Sequence, residues 1–249
     1  MWEFCVAFDN KTEAIAFKNA IYSTIKIYGG LTTILSTKGY FKVLIATPTQ
    51  FLNRIKSYLK EKIAESILLN YKKNYIMKNL NFCISTNINM QVFLKAIIVF
   101  DSDTDKDIIV QKLNFKSCLM VKSFIDFQLK FLKKKWQELV DLANDNAMYL
   151  VSEDTFNELI KFIISNLEYR YYIVNIFSKK DCYMLCDTKG EVISDFLIEK
   201  SIVYDDSNLL TTLIALNPEK IVIHCNNNVK DKTINALFQY FSNRLEICK

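Results

Sequence analysis

One imidazole is available to this 249-residue chain: His224, at the end of the apolar run KIVIH (220–224) and followed by Cys225 and three asparagines, Asn226, Asn227 and Asn228. Imidazole is the side chain whose ordinary titration falls near neutral pH, so His224 has the chemistry of a general acid or base, or of a neutral ligand. The run before it reads as a parallel strand and the run after it as a helix. The carboxyl end of such a strand is where open α/β sheets bind ligands, and exposed helix N–H groups there can hold an anion. In that reading Asn226, Asn227 and Asn228 support a bound partner. In the structural alternative the asparagines are loop and N-cap donors, and the ring bonds a neighbouring carbonyl. Alternation along the strand sends His224 and Cys225 to opposite faces, which weakens any pairing between them.

Other constellations fall short of a site. Cys182 and Cys186 flank Met184 on one face of a strand, one residue too far apart for a Cys-x-x-Cys pair and without further ligands nearby, so they read as a buried apolar face and no zinc site is expected. DSDTDKD (101–107) places Asp101, Asp103 and Asp105 at the first three ligand positions of an EF-hand loop, but Lys106 stands where the turn needs Gly and Lys112 where a bidentate Glu is required. An exposed, helix-capping acidic loop is the expectation. No Ser-His-Asp order, Gly-x-Ser-x-Gly, Walker loop or paired-carboxylate motif occurs, and no catalytic residue or cofactor is assigned.

Positive charge is concentrated instead. Between Arg54 and Lys78 seven basic residues face only Glu61 and Glu65, a local excess equal to the +5 of the whole chain. Tyr58, Tyr71 and Tyr75 interleave with them, which suits stacking and phosphate contact; Arg54, Lys56, Lys60, Lys72 and Lys73 are the candidate nucleic-acid contacts. The lysines of FQLKFLKKKWQELVD share their helix face with Asp126 and Asp141 and read as a solvated surface with internal ion pairs.

The elements that must position these residues follow from periodicity. EFCVAF (3–8) is a strand, FDN leads into a helix over 11–28 stopped by Gly29-Gly30, and LTTILS (31–36) pairs with YFKVLIAT (40–47) around TKG, a βαββ unit. Residues 49–168 are mainly helical, with Ser152 as one N-cap. After Tyr169 the period becomes two, and strand, helix, strand within about 30 residues implies right-handed parallel crossovers. The fold class is therefore α+β: the βαββ unit, a helical middle and a C-terminal α/β lobe with a short mixed sheet, divided near 1–85, 86–168 and 169–249 and packed as one body.

Composition narrows the classes. With 51% hydrophobic and 24% charged residues the chain can bury a sizeable core, and 13% aromatics argue against disorder. Four glycines and two prolines leave little room for Gly-rich phosphate loops. The apolar run VFLKAIIVF (92–100) is about half the roughly 20 residues of a spanning helix and contains Lys95, so no membrane span is expected. Seven scattered cysteines do not make a disulfide framework, and the N-terminus lacks a basic leader. A soluble cytoplasmic protein is expected.

Two long blocks carry a family pattern. LLTTLIALNPEKIVIHCNNNVKDKTINALFQYFSNRLEICK (209–249) and FIDFQLKFLKKKWQELVDLANDNAMYLVSEDTFNELIKFI (124–163) resemble the YtxC-like family of sporulation-associated proteins from endospore-forming bacteria. The resemblance spans roughly residues 120–249 and implies a role in sporulation without implying a reaction. The lead reading is a non-enzymatic interaction or regulatory protein whose partner is another protein, bound around His224 and Asn226 to Asn228. The alternatives are a nucleic-acid-binding protein using the 54–78 segment and an enzyme acting on a small anionic substrate through His224.

Overall fold

The computed structural model describes residues 1–37, 39–81, 88–147, 153–179, 182–198, 204, 206–224 and 231–248. In chain order its elements are β1 (Trp2–Phe8), α1 (Lys11–Ile27), β2 (Leu31–Thr37), β3 (Tyr40–Thr47), α2 (Leu52–Ser66), α3 (Lys73–Asn79), α4 (Ile88–Val99), α5 (Ser102–Lys112), β4 (Cys118–Met120), α6 (Val121–Gln128), α7 (Lys130–Ala147), α8 (Glu153–Asn166), β5 (Tyr171–Lys179), β6 (Cys182–Cys186), α9 (Asp206–Leu216), β7 (Pro218–His224), α10 (Asp231–Phe241) and β8 (Leu245–Cys248). The expected α+β layout is present. Two compact units divide it: residues 1–79 with 102–141, and residues 80–101 with 142–249.

The first unit is built on a sheet ordered β2-β3-β1-β4. Asn10 starts α1 by accepting the Thr12 N–H at 2.8 Å, and Gly29 ends it with φ 71°, the left-handed turn that glycine adopts without a Cβ clash. Helix α1 crosses from β1 to β2, and β3 returns antiparallel between them. Gly30 lies so close to β3 that an added Cβ would stand 2.7 Å from the Ala46 carbonyl oxygen. One sheet face carries Phe4, Val6, Phe8, Val43 and Ile45, all buried, against Ala14, Phe17, Ile21 and Ile25 of α1. Strand β4 pairs parallel with the free edge of β1. Within the stretch that reads as helical, this strand has no sequence signature, because three residues are too few to establish a period of two.

A second departure concerns charge. Helices α2 and α3 are one continuous run joined by a π-helical turn over Ile67–Lys72. Its inward stripe runs Ile55, Leu59, Ile63, Ile67 and then, one residue displaced, Leu68, Lys72 and Ile76. Lys72 is thus fully buried (0% exposed), 2.8 Å from Asp105 Oδ2, which is 1% exposed. Trp136 Nε1 donates to the same oxygen at 2.8 Å, and Lys72 Nζ also donates to Ser102 Oγ at 3.4 Å. The exposed acidic loop expected at 101–107 is therefore corrected. Helix α5 begins at Ser102, and Asp105 turns inward because a buried ammonium needs a counter-ion.

The second unit is built on a sheet ordered β6-β5-β7-β8, with β5, β7 and β8 parallel and β6 antiparallel to β5. From β5 the chain turns back through the antiparallel β6 and then through α9 to the parallel β7, and α10 joins β7 to β8, both steps running in one direction along the sheet. Right-handed connections between the parallel strands then put both helices on one face. Val174, Ile176, Ile221 and Ile223 are buried on that face. Helix α4, the apolar run that contains Lys95, buries Val92, Phe93, Ala96 and Ile97 in this unit. No helix among the described residues is long and apolar enough to cross a membrane.

Between α9 and β7 there is a single residue, Asn217, fully buried with φ 34°. Its side-chain amide donates to the Leu167 and Glu168 carbonyls at 2.9 and 3.0 Å, and its Oδ1 accepts from Arg244 Nη1 at 2.8 Å. Arg244 also donates to the Pro218 and Ile164 carbonyls and lies over the Tyr169 ring, 4.7 Å from its centroid. Burial lowers the Arg244 pKa below its ordinary value.

Removing one member of the Lys72–Asp105 pair leaves the other charged and buried, so Asp105→Ala is expected to cost about 3–5 kcal/mol in urea denaturation. The double change Lys72→Met with Asp105→Leu should recover most of that loss. A single-mutant cost under about 1 kcal/mol would mean the pair is not sensed by the fold.

Candidate functional site

The site around His224 is set by the register of β5 and β7, in which Phe177 lies opposite His224. The two rings stack almost flat, centroids 4.4 Å apart with 5° between planes. Asn175, two residues before Phe177 and so on the same face, places Oδ1 3.0 Å from His224 Nε2. Its amide nitrogen donates to the Asp187 carbonyl at 3.0 Å, which fixes the amide's orientation. Oδ1 can only accept, so Nε2 carries the proton, and in the neutral ring the lone pair is on Nδ1. Asp187 is held in turn by accepting the Lys189 and Glu191 N–H groups at 2.8 and 2.9 Å. His224 is half-buried, and its register neighbour on the other side is Cys248 of β8.

This face of the sheet is the one opposite α9 and α10. Phe177 is 36% exposed there, and Cys182, Met184 and Cys248 are half-buried. The sequence reading made Cys182, Met184 and Cys186 the buried side of their strand. Only Cys186 is buried; Tyr183 and Leu185 on the other side are the core residues, at 2% and 0% exposed. With apolar residues on both faces of CYMLC, periodicity alone cannot assign the inward one. Cys225 and Asn226 to Asn228 lie outside the described residues, as does the Ser152 cap. Among the described residues no three His, Cys, Asp or Glu side chains converge in a way that could hold a metal ion.

At the start of β5 a polar cluster supports the same sheet. Arg170 pairs with Asp195 at 3.0 Å and donates to the Ala215 carbonyl at 2.9 Å. The Tyr171 hydroxyl donates to Asp195 at 3.3 Å. Burial first, and then the Asp195 charge, push the Tyr171 phenol up to about 12.

The basic candidates separate on folding. Arg54 and Lys73 are exposed and Lys60 half-buried. Lys56 stands 5.6 Å from the Trp2 ring centroid. Lys72 is inside the unit, paired with Asp105, and is therefore corrected from a surface contact to a core cation. Two of the interleaved tyrosines are bonded within the unit, Tyr58 donating to the Ala20 carbonyl at 2.9 Å and Tyr75 to Gln137 Oε1 at 2.6 Å, while Tyr71 is half-buried. Burial raises the Glu13 carboxyl above its ordinary value.

Sequence reasoning missed Asn175 and Phe177, although a lone Asn within the apolar strand YYIVNIF signals a buried polar group that needs a partner. It also missed Lys72 as a core residue. Leu68 and Ile76, four residues to either side, mark that position as inward.

These features define an α+β protein with two mixed four-stranded sheets, the second of which displays a fixed aromatic and imidazole pair at the carboxyl ends of parallel strands. The chain belongs to the YtxC-like family, whose model matches residues 100–246, from the start of the α5 region to β8. No curated protein and no solved structure matches it.

Replacing His224 with Ala removes one ring stack and one hydrogen bond, each of order 1 kcal/mol, so the variant is expected to lose about 1–3 kcal/mol and stay folded. Near-zero loss in chemical denaturation would show that the stack is not formed in solution. A second expectation concerns alkali. With its pKa raised from the ordinary value of about 10, the folded protein holds the Tyr171 proton more tightly than the unfolded chain does. Stability from this group is complete below about pH 10 and falls as pH rises toward about 12. Tyr171→Phe should flatten that part of the stability–pH curve; an unchanged slope would contradict the assignment.

Proposed function

We propose that this protein is a non-enzymatic interaction or regulatory component of spore formation, binding another protein through the sheet face around His224. The observation that carries the reading is the fixed ring pair: His224 is stacked on Phe177 and bonded to Asn175, so a partly exposed aromatic surface is already ordered before a partner arrives. Preordered aromatic surface lowers the entropic cost of association, and aromatic side chains dominate the energetics of protein interfaces. Membership in the YtxC-like family supports the sporulation setting.

The first test is a deletion strain of the native host, scored for heat-resistant spores beside vegetative growth. A selective fall in spores, restored by the wild-type gene but not by a folded His224→Asp variant, is the expected result. A photo-crosslinking residue at position 177 should capture one protein in sporulating cells and lose it in the same variant. Unchanged spore counts with slowed growth would overturn the reading. Binding to single-stranded nucleic acid that weakens steeply from roughly 50 to 200 mM salt would overturn it in favour of Arg54, Lys60 and Lys73.

A further inference from the structure

Strands β1 and β4 lie side by side with Cys5 opposite Cys118, Val6 opposite Leu119 and Ala7 opposite Met120. The two sulfurs are in contact, Sγ to Sγ 2.9 Å, and both cysteines are free thiols. Neighbouring strands stand about 4.7–4.9 Å apart, inside the Cα separation of about 4.4–6.8 Å that a disulfide spans. The backbone therefore needs no rearrangement to be bridged.

Access to the two sulfurs is unequal. Cys118 is exposed on the edge strand, whereas Cys5 is buried beneath it. Cys5 also lines an open groove of about 830 Å³ with Glu3, Thr33, Leu44 and Ser117, the residue next to Cys118. A small molecule can approach the pair from that side. Burial first, and then the hydrogen bond and charge of Cys118, push the Cys5 thiol up to about 12. The exposed Cys118 sulfur is the one that a reagent in solution reaches first.

We propose that Cys5 and Cys118 form a reversible disulfide site that takes low-molecular-weight disulfides as its oxidant. The Cys118 thiolate attacks one sulfur of the oxidant RSSR; a Cys118–SR bond forms, the RS–SR bond breaks and RS⁻ leaves. Cys5 then gives up its proton to that thiolate and attacks Cys118 Sγ. The Cys5–Cys118 bond forms, the Cys118–SR bond breaks and the second RS⁻ leaves, taking a proton from water. Two protein thiols are oxidised by two electrons, and one RSSR is reduced to two RSH.

The consequence for the fold is local. Strand β4 is held to the sheet by only three register pairs, and α6 starts directly from its last residue. A covalent link at Cys5 would pin that edge and the start of α6 to β1. The thiol form leaves the edge held by non-covalent contacts: the three register pairs, the buried Leu119 side chain and the contact between the two sulfurs.

The full-length reduced protein should be equilibrated in glutathione buffers from reducing to oxidising, quenched by alkylation and mapped by peptide mass spectrometry. Expected is a peptide pair joining Cys5 to Cys118 in most molecules at the oxidising end, reversed by dithiothreitol, with a raised thermal midpoint. Cys5→Ser should stop the reaction at a glutathione adduct on Cys118, and Cys118→Ser should leave Cys5 unmodified. Both cysteines still fully alkylated in the wild-type protein at the oxidising end would overturn the proposal. So would glutathione accumulating on Cys118 of the wild type without the internal link.

Discussion

The second unit depends on one buried residue, Asn217. The chain passes from α9 into β7 with no loop, and the only side chain at that corner must sit in the left-handed region, which Asn tolerates better than most residues. Once there, its amide reaches carbonyls at the end of α8 while its oxygen takes a hydrogen bond from Arg244, just ahead of β8. Asn217 and Leu167 are buried, and leaving such a buried polar group without a partner costs roughly 1–3 kcal/mol. Asn217 therefore ties together the end of one helix, the end of another, and the starts of two neighbouring parallel strands. Pro218 begins β7 opposite Tyr171, and from that register His224 arrives opposite Phe177. A slip of one residue would send the imidazole to the helix-covered face.

The first unit solves a similar problem with charge. Lys72 lies on the inward stripe of a long helical run, and the π-turn that ends at it keeps the stripe continuous from Leu68 to Ile76. An ammonium with no exposure is tolerable only with an anion beside it, and Asp105 on α5 supplies it. Trp136 of α7 then satisfies the same carboxylate oxygen. Three helices from distant parts of the chain are in this way held by one carboxylate. The pair is a device of specificity more than of net stability, because desolvating two charges consumes much of their attraction.

Both units pack their helices against one face of a mixed sheet, and the chemistry of interest sits away from that packing. In the first, it is a cysteine pair at the edge beside β1; in the second, a ring pair on the face opposite α9 and α10. Core faces need shape and apolar area, so they leave little choice of side chain. The faces and edges that are partly wet can carry imidazole, thiol and amide groups.

Much of the architecture was legible in the residues themselves. β3 and the start of α1 appear where the alternation and the FDN lead-in put them, and the parallel β7-α10-β8 crossover follows from strand, helix, strand spacing, because these signals are local and repeat over many residues. The YtxC-like pattern was readable for the same reason, in two long blocks. His224 was legible as a candidate because it is the chain's one imidazole. What the sequence could not decide was which neighbours these residues would meet. The partner of His224 comes from 49 positions earlier, that of Lys72 from 33 later, and that of Cys5 from 113 later. Each pairing is set by strand register or helix rotation, quantities fixed by the packing of the whole unit. A count of charges placed Lys72 on the surface and an acidic run placed Asp105 in solvent; tertiary structure reversed both, because only in three dimensions do the two inward positions meet.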